Sequence, residues 1–170
     1  MAGDLAEMEN MIASLLAFLG GEDDPEPPRA IDLAVLLQTL VDDAVDHGGD
    51  ATYAGPEHFD VAARPTSLRR ALANLIENGL HYGERVRVTL SEGADVVTVT
   101  IDDDGPGIPP EQIEAVTRPF VRLDEARARN TKGLGLGLAI VAKAVALEGG
   151  TLDLANRPEG GLSARVTLPR

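Results

Sequence analysis

The chain has 170 residues, carries a net charge of -13 and contains no cysteine. Its length suits one domain with at most a short appendage, and the missing cysteines exclude disulfides, thiolate metal sites and cysteine nucleophiles. The negative charge argues against nucleic acid as a partner, because such binding needs a basic surface, and no apolar run approaches the ~20 residues of a membrane span. The sequence therefore predicts a soluble piece in which any phosphate site is local.

The amino-terminal residues predict an amphipathic helix. Apolar residues recur at spacings of three and four from Leu5 to Leu19, and a glycine pair follows. The segment over 22–28 is acidic and rich in proline, so it cannot continue the helix and is typical of a linker. We therefore predict three parts, which are a helix over 1–20, a linker over 21–30 and a domain over 31–170.

The rest of the chain predicts alternating helices and hairpins. Helical spacing of apolar residues and period-two alternation predict helices over 31–47 and 66–82, strands over 51–54 and 58–63, a hairpin over 85–90 and 96–101, a helix from 133–137 to about 148, and a last hairpin over 151–155 and 162–168. Hairpins without a regular βαβ alternation favour a mixed, mostly antiparallel sheet with helices on one face. The predicted fold class is a two-layer α+β sandwich with an added amino-terminal helix.

A carboxylate stands before a glycine turn at the end of one predicted strand. Asp103 is followed by Gly105 and Gly107, which let the backbone turn sharply and approach a flat ligand. A carboxylate in that place can accept a hydrogen bond from an exocyclic amine, such as that of adenine. The alternative is an ordinary turn, which is the usual fate of this composition.

Two asparagines lie one turn apart on the helix over 66–82. Asn74 and Asn78 point to the same edge of that helix, and His81 and Tyr82 follow one turn later. An amide oxygen is a suitable ligand for Mg²⁺, which takes its other ligands from water and nucleotide phosphates. The alternative is a pair of solvent-facing asparagines, although asparagine is a poor residue for a helix interior.

A third segment combines glycines with a helix start. Gly133, Gly135 and Gly137 alternate with leucines, and amide groups at a helix amino terminus can bind an anion. The preceding stretch over 118–132 has a local excess of positive charge, with four arginines and one lysine against two acids. The spacing fits neither the Walker loop nor the dinucleotide fingerprint, and the alternative is a hinged linker.

Taken in order, these segments resemble the ATP-binding domain of sensor histidine kinases, in the GHKL superfamily with the Bergerat fold. Asn74 to Gly83 resembles the asparagine box, Asp103 to Pro109 the first glycine box, Arg118 to Arg122 the phenylalanine box, and Gly133 to Leu138 the second glycine box. The resemblance covers about residues 30–170. It is strongest to osmosensor-type kinases, through the run from Pro119 to Arg127.

The resemblance implies ATP and Mg²⁺ as cofactors. On this analogy Asn78 is the metal ligand, Asp103 binds the adenine amine, and Arg122 with the 124–132 lid contacts the phosphates. His81 stands where the family usually has Arg or Lys. The nucleotide-binding residues implied are Asn74, Asn78, His81, Tyr82, Asp103, Gly105, Gly107, Ile108, Phe120, Arg122, Leu123, Lys132, Gly133, Leu134, Gly135, Leu136, Gly137 and Leu138.

The resemblance also implies an activity and partners. It implies a protein-histidine kinase, a transferase that moves the γ-phosphate of ATP to a histidine, for phosphorelay to a response regulator in two-component signal transduction. The amino-terminal helix resembles the end of the second helix of the family's dimerisation and phosphotransfer domain. No histidine here lies in the acceptor's His-Glu or His-Asp setting, so no catalytic residue is assigned and autophosphorylation of this chain is not expected.

The acceptor is expected on a helix of the same kinase, within a homodimer of the full protein, and the chain is expected to be a cytoplasmic, soluble portion of a membrane-anchored bacterial sensor.

The alternative is a GHKL-fold ATPase or a nucleotide-binding module without histidine kinase activity. In the clamp-type ATPases of this fold a glutamate four residues before the metal asparagine activates water. Asn74 stands at that position, and an amide cannot act as a general base. A degenerate binding module or a serine-directed kinase is the third possibility. The four complete boxes argue against degeneracy, and the amino-terminal helix with its proline-rich linker favours the sensor-kinase setting.

Overall fold

The computed structural model describes residues 2–19, 26–122 and 136–170. Four helices are seen in these ranges, α1 (Ala2–Leu19), α2 (Leu33–Asp46), α3 (Pro65–Tyr82) and α4 (Gly137–Leu147). The strands are β1 (Arg29–Asp32), β2 (Asp50–Ala54), β3 (Asp60–Ala63), β4 (Arg85–Glu92), β5 (Val96–Asp103), β6 (Thr151–Asn156) and β7 (Leu162–Pro169). Short 3₁₀ turns occur at Pro110–Gln112 and Ala115–Thr117.

Five strands form one mixed sheet in the order β2-β4-β5-β7-β6. Strand β2 runs parallel to β4, and the other neighbours are antiparallel. Strands β1 and β3 form a separate antiparallel pair. The register pairs Asp102 of β5 with Ser163 of β7, so the turn between β6 and β7 lies beside the end of β5.

One face of the sheet packs against helices α2, α3 and α4. Alternate strand residues such as Val86, Val99 and Val166 are fully buried, together with Leu37 of α2 and Leu72 of α3. The residues between them point to the opposite face and are largely threonines and charged groups. This alternation produces the two-layer arrangement, and the predicted fold class is confirmed.

Within the described residues the predicted helices and strands are confirmed except around residue 30, and positions 133–135 of the predicted last helix lie outside those residues. The sequence predicted a helix from residue 31 and a linker over 21–30, but residues 29–32 form β1, which overlaps that linker by two residues. Asp32 then caps α2, because its side chain accepts a hydrogen bond from the Val35 amide at 3.1 Å. Strand β1 was missed because it has four residues and only one neighbour, and its burial does not alternate.

The linker region makes a specific contact with the domain. Glu26 accepts hydrogen bonds from the amides of Thr66 at 2.6 Å and Ser67 at 3.1 Å, and from the Thr66 hydroxyl at 3.1 Å. These amides belong to the first turn of α3, which the helix itself leaves without acceptors. A residue before β1 therefore caps the helix that carries both asparagines of the asparagine box.

Helix α1 exposes the apolar stripe that its sequence predicted. Leu5, Met8, Ile12, Leu16 and Leu19 are each more than half exposed. The end of the helix reaches α4, where the Lys143 ammonium donates to the Phe18 carbonyl at 3.0 Å. Among the described residues, no helix combines the length and apolar character needed to cross a membrane.

Candidate functional site

Three segments that are distant in sequence converge at one edge of the helix layer. A Cβ atom placed on Gly79 of α3 would lie 3.5 Å from the Asp103 Cβ atom at the end of β5. A Cβ atom placed on Gly137, the first residue of α4, would lie 3.4 Å from Asn78 Nδ2. The helix that carries the asparagines therefore lies against both the carboxylate at the end of β5 and the first residue of α4. The sequence analysis assigned these three segments to a single site.

Asp103 is the one buried charged residue in the described part of the chain, at 8% exposure. Its Oδ1 atom accepts hydrogen bonds from the Gly105 amide at 2.9 Å and the Leu162 amide at 3.1 Å, and within the described residues Oδ2 accepts none. Burial raises the pKa of the Asp103 carboxyl, and these two amide donors oppose that rise. One carboxylate oxygen is thus fixed by the protein and the other remains available for a donor from a ligand.

The glycines after Asp103 make room for protein groups. A Cβ atom on Gly105 would lie 2.8 Å from the Tyr82 carbonyl oxygen, and one on Gly107 would lie 2.5 Å from Asn156 Oδ1. Gly107 also has a φ of +73°, which side chains rarely adopt. The sequence analysis assigned these glycines to the approach of a flat ligand, and the structure gives each of them an internal reason as well.

The loop after β5 is held by side chains that the sequence analysis did not select. Asp104 accepts from the amides of Glu84 at 2.8 Å and Arg85 at 2.9 Å, in the turn between α3 and β4. These bonds hold the pKa of the Asp104 carboxyl below its usual range. The sequence Asp102-Asp103-Asp104 does not show that Asp103 and Asp104 have different partners. Only the strand register shows which carboxylate faces the core and which faces the turn.

Asn156, the last residue of β6, and Arg157, the first residue of the turn after it, complete the support. The Asn156 side chain donates to the Ile108 carbonyl at 2.7 Å and accepts from the Ile108 amide at 2.8 Å. The Arg157 guanidinium donates to the Asp103 carbonyl at 2.7 Å. The sequence marked 156–161 only as a turn, and its one available signal was an asparagine placed at a strand end.

The remaining residues of α3 are open to ligands to different degrees. Asn74 and Asn78 are partly buried, and neither side chain has a hydrogen-bond partner among the residues that the structure describes. His81 and Tyr82 are exposed, with their rings in edge contact at 4.9 Å between centroids. The Asn78 side chain therefore places an amide group without a described partner beside the start of α4.

The later boxes are described only in part. Phe120 is 56% exposed and has a φ of +63°, a conformation unusual for a bulky residue, while Arg122 is partly buried. Leu136 is buried and Leu138 packs against the core, so both leucines serve packing. The other predicted site residues lie outside the described residues; these are Leu123, Lys132, Gly133, Leu134 and Gly135.

Comparison with known proteins defines the class. Residues 63–170 match the family described as histidine kinase-, DNA gyrase B-, and HSP90-like ATPase. That match covers most of the chain and includes the asparagine helix, Asp103 and the start of α4. The chain belongs to this ATP-using family.

Similar individual proteins are sensor kinases. The chain is 36% identical over 167 residues to the sensor histidine kinase GtrS of Pseudomonas aeruginosa, covering 98% of this chain and 34% of GtrS. It is 41% identical over 115 residues to the sensor histidine kinase CpxA of Escherichia coli, covering 67% of this chain and 25% of CpxA. The chain thus spans about a third or less of the length of these relatives.

Solved structures give the same picture of the fold. The ATP binding domain of PrrB from Mycobacterium tuberculosis matches with a TM-score of 0.70 at 28% identity, over 85% of this chain and 98% of that domain. The histidine kinase domain of the E. coli osmosensor EnvZ matches with a TM-score of 0.63 at 34% identity, over 86% of this chain and 91% of EnvZ's. The resemblance to sensor histidine kinases, including the osmosensor type, is confirmed.

Proposed function

We propose that this chain is the ATP-binding catalytic part of a two-component sensor histidine kinase, which transfers the γ-phosphate of ATP to a histidine on another segment. The observation that carries the proposal is the convergence of Asn78, Asp103 and Gly137 at one edge of the helix layer. Separate recognition of a base, a metal and phosphates needs these three kinds of group in one place. The names of the curated relatives support histidine as the acceptor.

The base end of this site fits adenine. Asp103 has one carboxylate oxygen without a partner among the described residues, and the other oxygen is fixed by two amides. A carboxylate oxygen so placed accepts a hydrogen bond from an exocyclic amine, whereas the corresponding guanine edge presents a carbonyl, which would be repelled. We therefore expect ATP and ADP to bind in preference to GTP.

The phosphate end fits Mg²⁺ with nucleotide phosphates. Asn78 carries an amide oxygen without a protein partner in the described ranges, beside the amino terminus of α4, whose free amides favour anions. Asn78 would be the protein's metal ligand, and Mg²⁺ would neutralise part of the triphosphate charge. Asn74, His81 and Arg122 are proposed to line the path of the phosphates, and Tyr82 and Ile108 to flank the base.

The chain's own histidines are poor acceptors. His47 Nδ1 lies 2.7 Å from the Asp43 carbonyl oxygen, and His58 Nδ1 lies 2.7 Å from Asp32 Oδ2. His81 is followed by Tyr82, and none of the three precedes an acidic residue. We propose that the acceptor lies on a dimerisation helix of the full kinase, and that a response regulator receives the phosphoryl group next.

The exposed stripe of α1 supports this layout. Five apolar side chains of α1 are more than half exposed, and packing against the other helix of a helical hairpin would bury them. We propose that α1 is the end of the second dimerisation helix, that the segment before β1 is an interdomain linker, and that the full protein is a membrane-anchored sensor with this part in the cytoplasm.

The proposal is tested by Mg²⁺-dependent calorimetry with ATP and ADP, followed by incubation with γ-labelled ATP. We expect binding of both nucleotides, no label on this chain alone, and label on a separately prepared phosphoacceptor domain. Failure of ATP to bind would overturn the proposal. Label retained on this chain would overturn the assignment of the acceptor to another segment.

The choice between transfer and hydrolysis is tested at Asn74. An amide cannot take a proton from water, so hydrolysis without an acceptor should be slow. Asn74→Glu places a base four residues before Asn78 and should raise the hydrolysis rate, while Asn74→Gln serves as the matched control. Rapid hydrolysis by the unaltered chain would favour the ATPase alternative instead.

A further inference from the structure

The turn between β6 and β7 holds the glycine loop from the side. The pairing of Asp102 with Ser163 brings this turn against the end of β5. Gly161 has a φ of +94°, and any Cβ atom on it would collide with the Asp103 carbonyl oxygen. Only glycine therefore fits at residue 161, and the turn lies against the end of β5, where the loop over 103–108 begins.

Asn156 makes the most specific contact in this approach. Its amide group binds both the N–H and the C=O of Ile108, at 2.8 and 2.7 Å, as a neighbouring strand would. The hydrogen bonds are reciprocal, so they fix the rotation of the Ile108 peptide groups as well as their position. Few other side chains offer a donor and an acceptor at this spacing.

The geometry of Gly107 shows that the loop is shaped around Asn156. A Cβ atom at that residue would lie 2.5 Å from Asn156 Oδ1, and its φ of +73° turns the chain so that Ile108 faces the amide. At the other end of the loop, Arg157 donates to the Asp103 carbonyl. The two ends of the loop are thus bonded to two consecutive residues, the last residue of β6 and the first residue of the turn after it.

We infer that Asn156 is a positioning residue for recognition of the nucleotide base, acting through Ile108 and Gly107 on the direction in which Asp103 presents its open oxygen. This inference rests on the proposed nucleotide site. A loop held in its binding conformation spares the ligand the entropic cost of ordering it. Loss of Asn156 should therefore weaken adenine recognition more than it weakens phosphate binding.

The test compares ATP and GTP affinities by competition against a fluorescent ATP analogue in the presence of Mg²⁺. For Asn156→Ala we expect ATP affinity to fall by roughly 10-fold and GTP affinity to change little, because two hydrogen bonds that orient the base-reading loop are lost. The ratio of ATP affinity to GTP affinity should therefore fall. A loss of stability alone would not change that ratio in protein that stays folded at the assay temperature.

Leu154→Val is the matched control, because Leu154 lies on the same strand and packs against the core. It should lower the melting temperature and leave the ATP:GTP ratio unchanged. An unchanged ratio in Asn156→Ala would overturn the inference, while the proposed function would stand as long as the unaltered chain binds ATP. If the unaltered chain binds no ATP, the proposed function fails, and this inference with it.

Asn156→Asp tests the same point without removing the side chain. A protonated carboxyl has a donor and an acceptor like the amide, whereas an ionised carboxyl places a second acceptor against the Ile108 carbonyl. The ATP affinity of Asn156→Asp, divided by that of the unaltered chain at the same pH, should rise several-fold as the pH falls. A ratio that stays constant with pH would overturn the inference.

Discussion

The two ends of the candidate site are built differently. At the base end, the loop over 103–108 is held by hydrogen bonds that the Asn156 and Arg157 side chains donate and that the Asp104 carboxylate accepts. At the phosphate end, Asn78 offers an amide with no partner in the described part of the chain. The loop proposed to bind a flat, rigid base is therefore held in place before the ligand binds. The groups proposed to bind the metal and the phosphates gain their hydrogen-bond partners or metal only when the ligand binds.

This difference separates two sources of affinity. A fixed loop reduces the ordering cost of binding and gives selectivity between bases, because a misplaced hydrogen bond cannot be relieved by movement. Unpaired amide groups contribute only when the metal and the phosphates are present. Variants at the two ends should therefore differ in their effects on base selectivity and on Mg²⁺ dependence, and not only in how much nucleotide affinity they lose.

The largest effect is expected for Asp103→Asn at the base end. Oδ1 already accepts from two amides, so an asparagine must keep its oxygen there and turn its NH₂ group to the open side, against the adenine amine. ATP affinity should fall by at least roughly 10- to 100-fold, from the loss of a charge-assisted hydrogen bond.

Calorimetry with ATP and GTP measures this effect, and GTP should lose less than ATP. Asp102→Asn is the matched control, since its side chain points to the opposite face of the sheet. Equal losses for both nucleotides would contradict the assignment of Asp103 to base recognition.

Asn78→Ala should break the phosphate end instead. Removal of the amide deletes the proposed metal ligand, so ATP affinity in Mg²⁺ should fall about tenfold or more, while affinity in the presence of a chelator should hardly change. Titrations with and without Mg²⁺ separate the metal-dependent part of the ATP affinity from the metal-independent part. The ATP:GTP ratio should stay as in the unaltered chain, and a change in that ratio would show that the two ends are not independent.

Much of the fold could be predicted because its main elements are long and strongly patterned. Helix α3 and the β4–β5 hairpin follow apolar periodicity that packing then satisfies. Strand β1 could not be predicted, since its four residues do not alternate between exposed and buried, whereas those of β3 on the same two-stranded sheet do. Its pairing with β3 joins residues about thirty positions apart, and the local sequence pattern does not show such contacts.

The site divides in the same way. Asp103, Asn78 and the glycines could be selected because each is unusual for its local setting. Asn156 and Arg157 could not, because their role depends on the register between β5 and β7, which places the turn beside the loop. Residues that touch a ligand have local signatures, whereas residues that support them are identified by geometry.

A smaller effect is expected from pH, again at the base end. Burial raises the pKa of Asp103, so its carboxylate becomes protonated at a higher pH than an ordinary aspartate. Nucleotide binding favours the ionised form, and ATP affinity should therefore fall as the pH drops through this raised pKa. We expect this loss to set in at a higher pH than the titration of an ordinary aspartate near about pH 4 would cause.

Titration of ATP itself contributes to that loss, so the affinity is divided by that of Asp103→Asn at each pH. The divided value isolates the carboxyl at residue 103. If it does not change with pH, the ionised form of Asp103 is not the form that binds.

The smallest effect is expected for Asp104→Ala, which loosens the support of the base end without touching the open oxygen of Asp103. The variant removes the acceptor for the Glu84 and Arg85 amides, and we expect a melting temperature lower by roughly 2–4 °C at neutral pH. Because folding lowers the pKa of Asp104, its contribution is present at neutral pH and is lost as the pH falls through that lowered value.

The difference in melting temperature between the unaltered chain and Asp104→Ala should therefore shrink on acidification. Asp153→Ala, a strand aspartate whose side chain makes no hydrogen bond within the described residues, should show no such trend. A pH-independent difference would mean that Asp104 acts through packing. A loss of ATP affinity larger than that of Asp103→Asn would mean that the α3–β4 turn contacts the nucleotide itself.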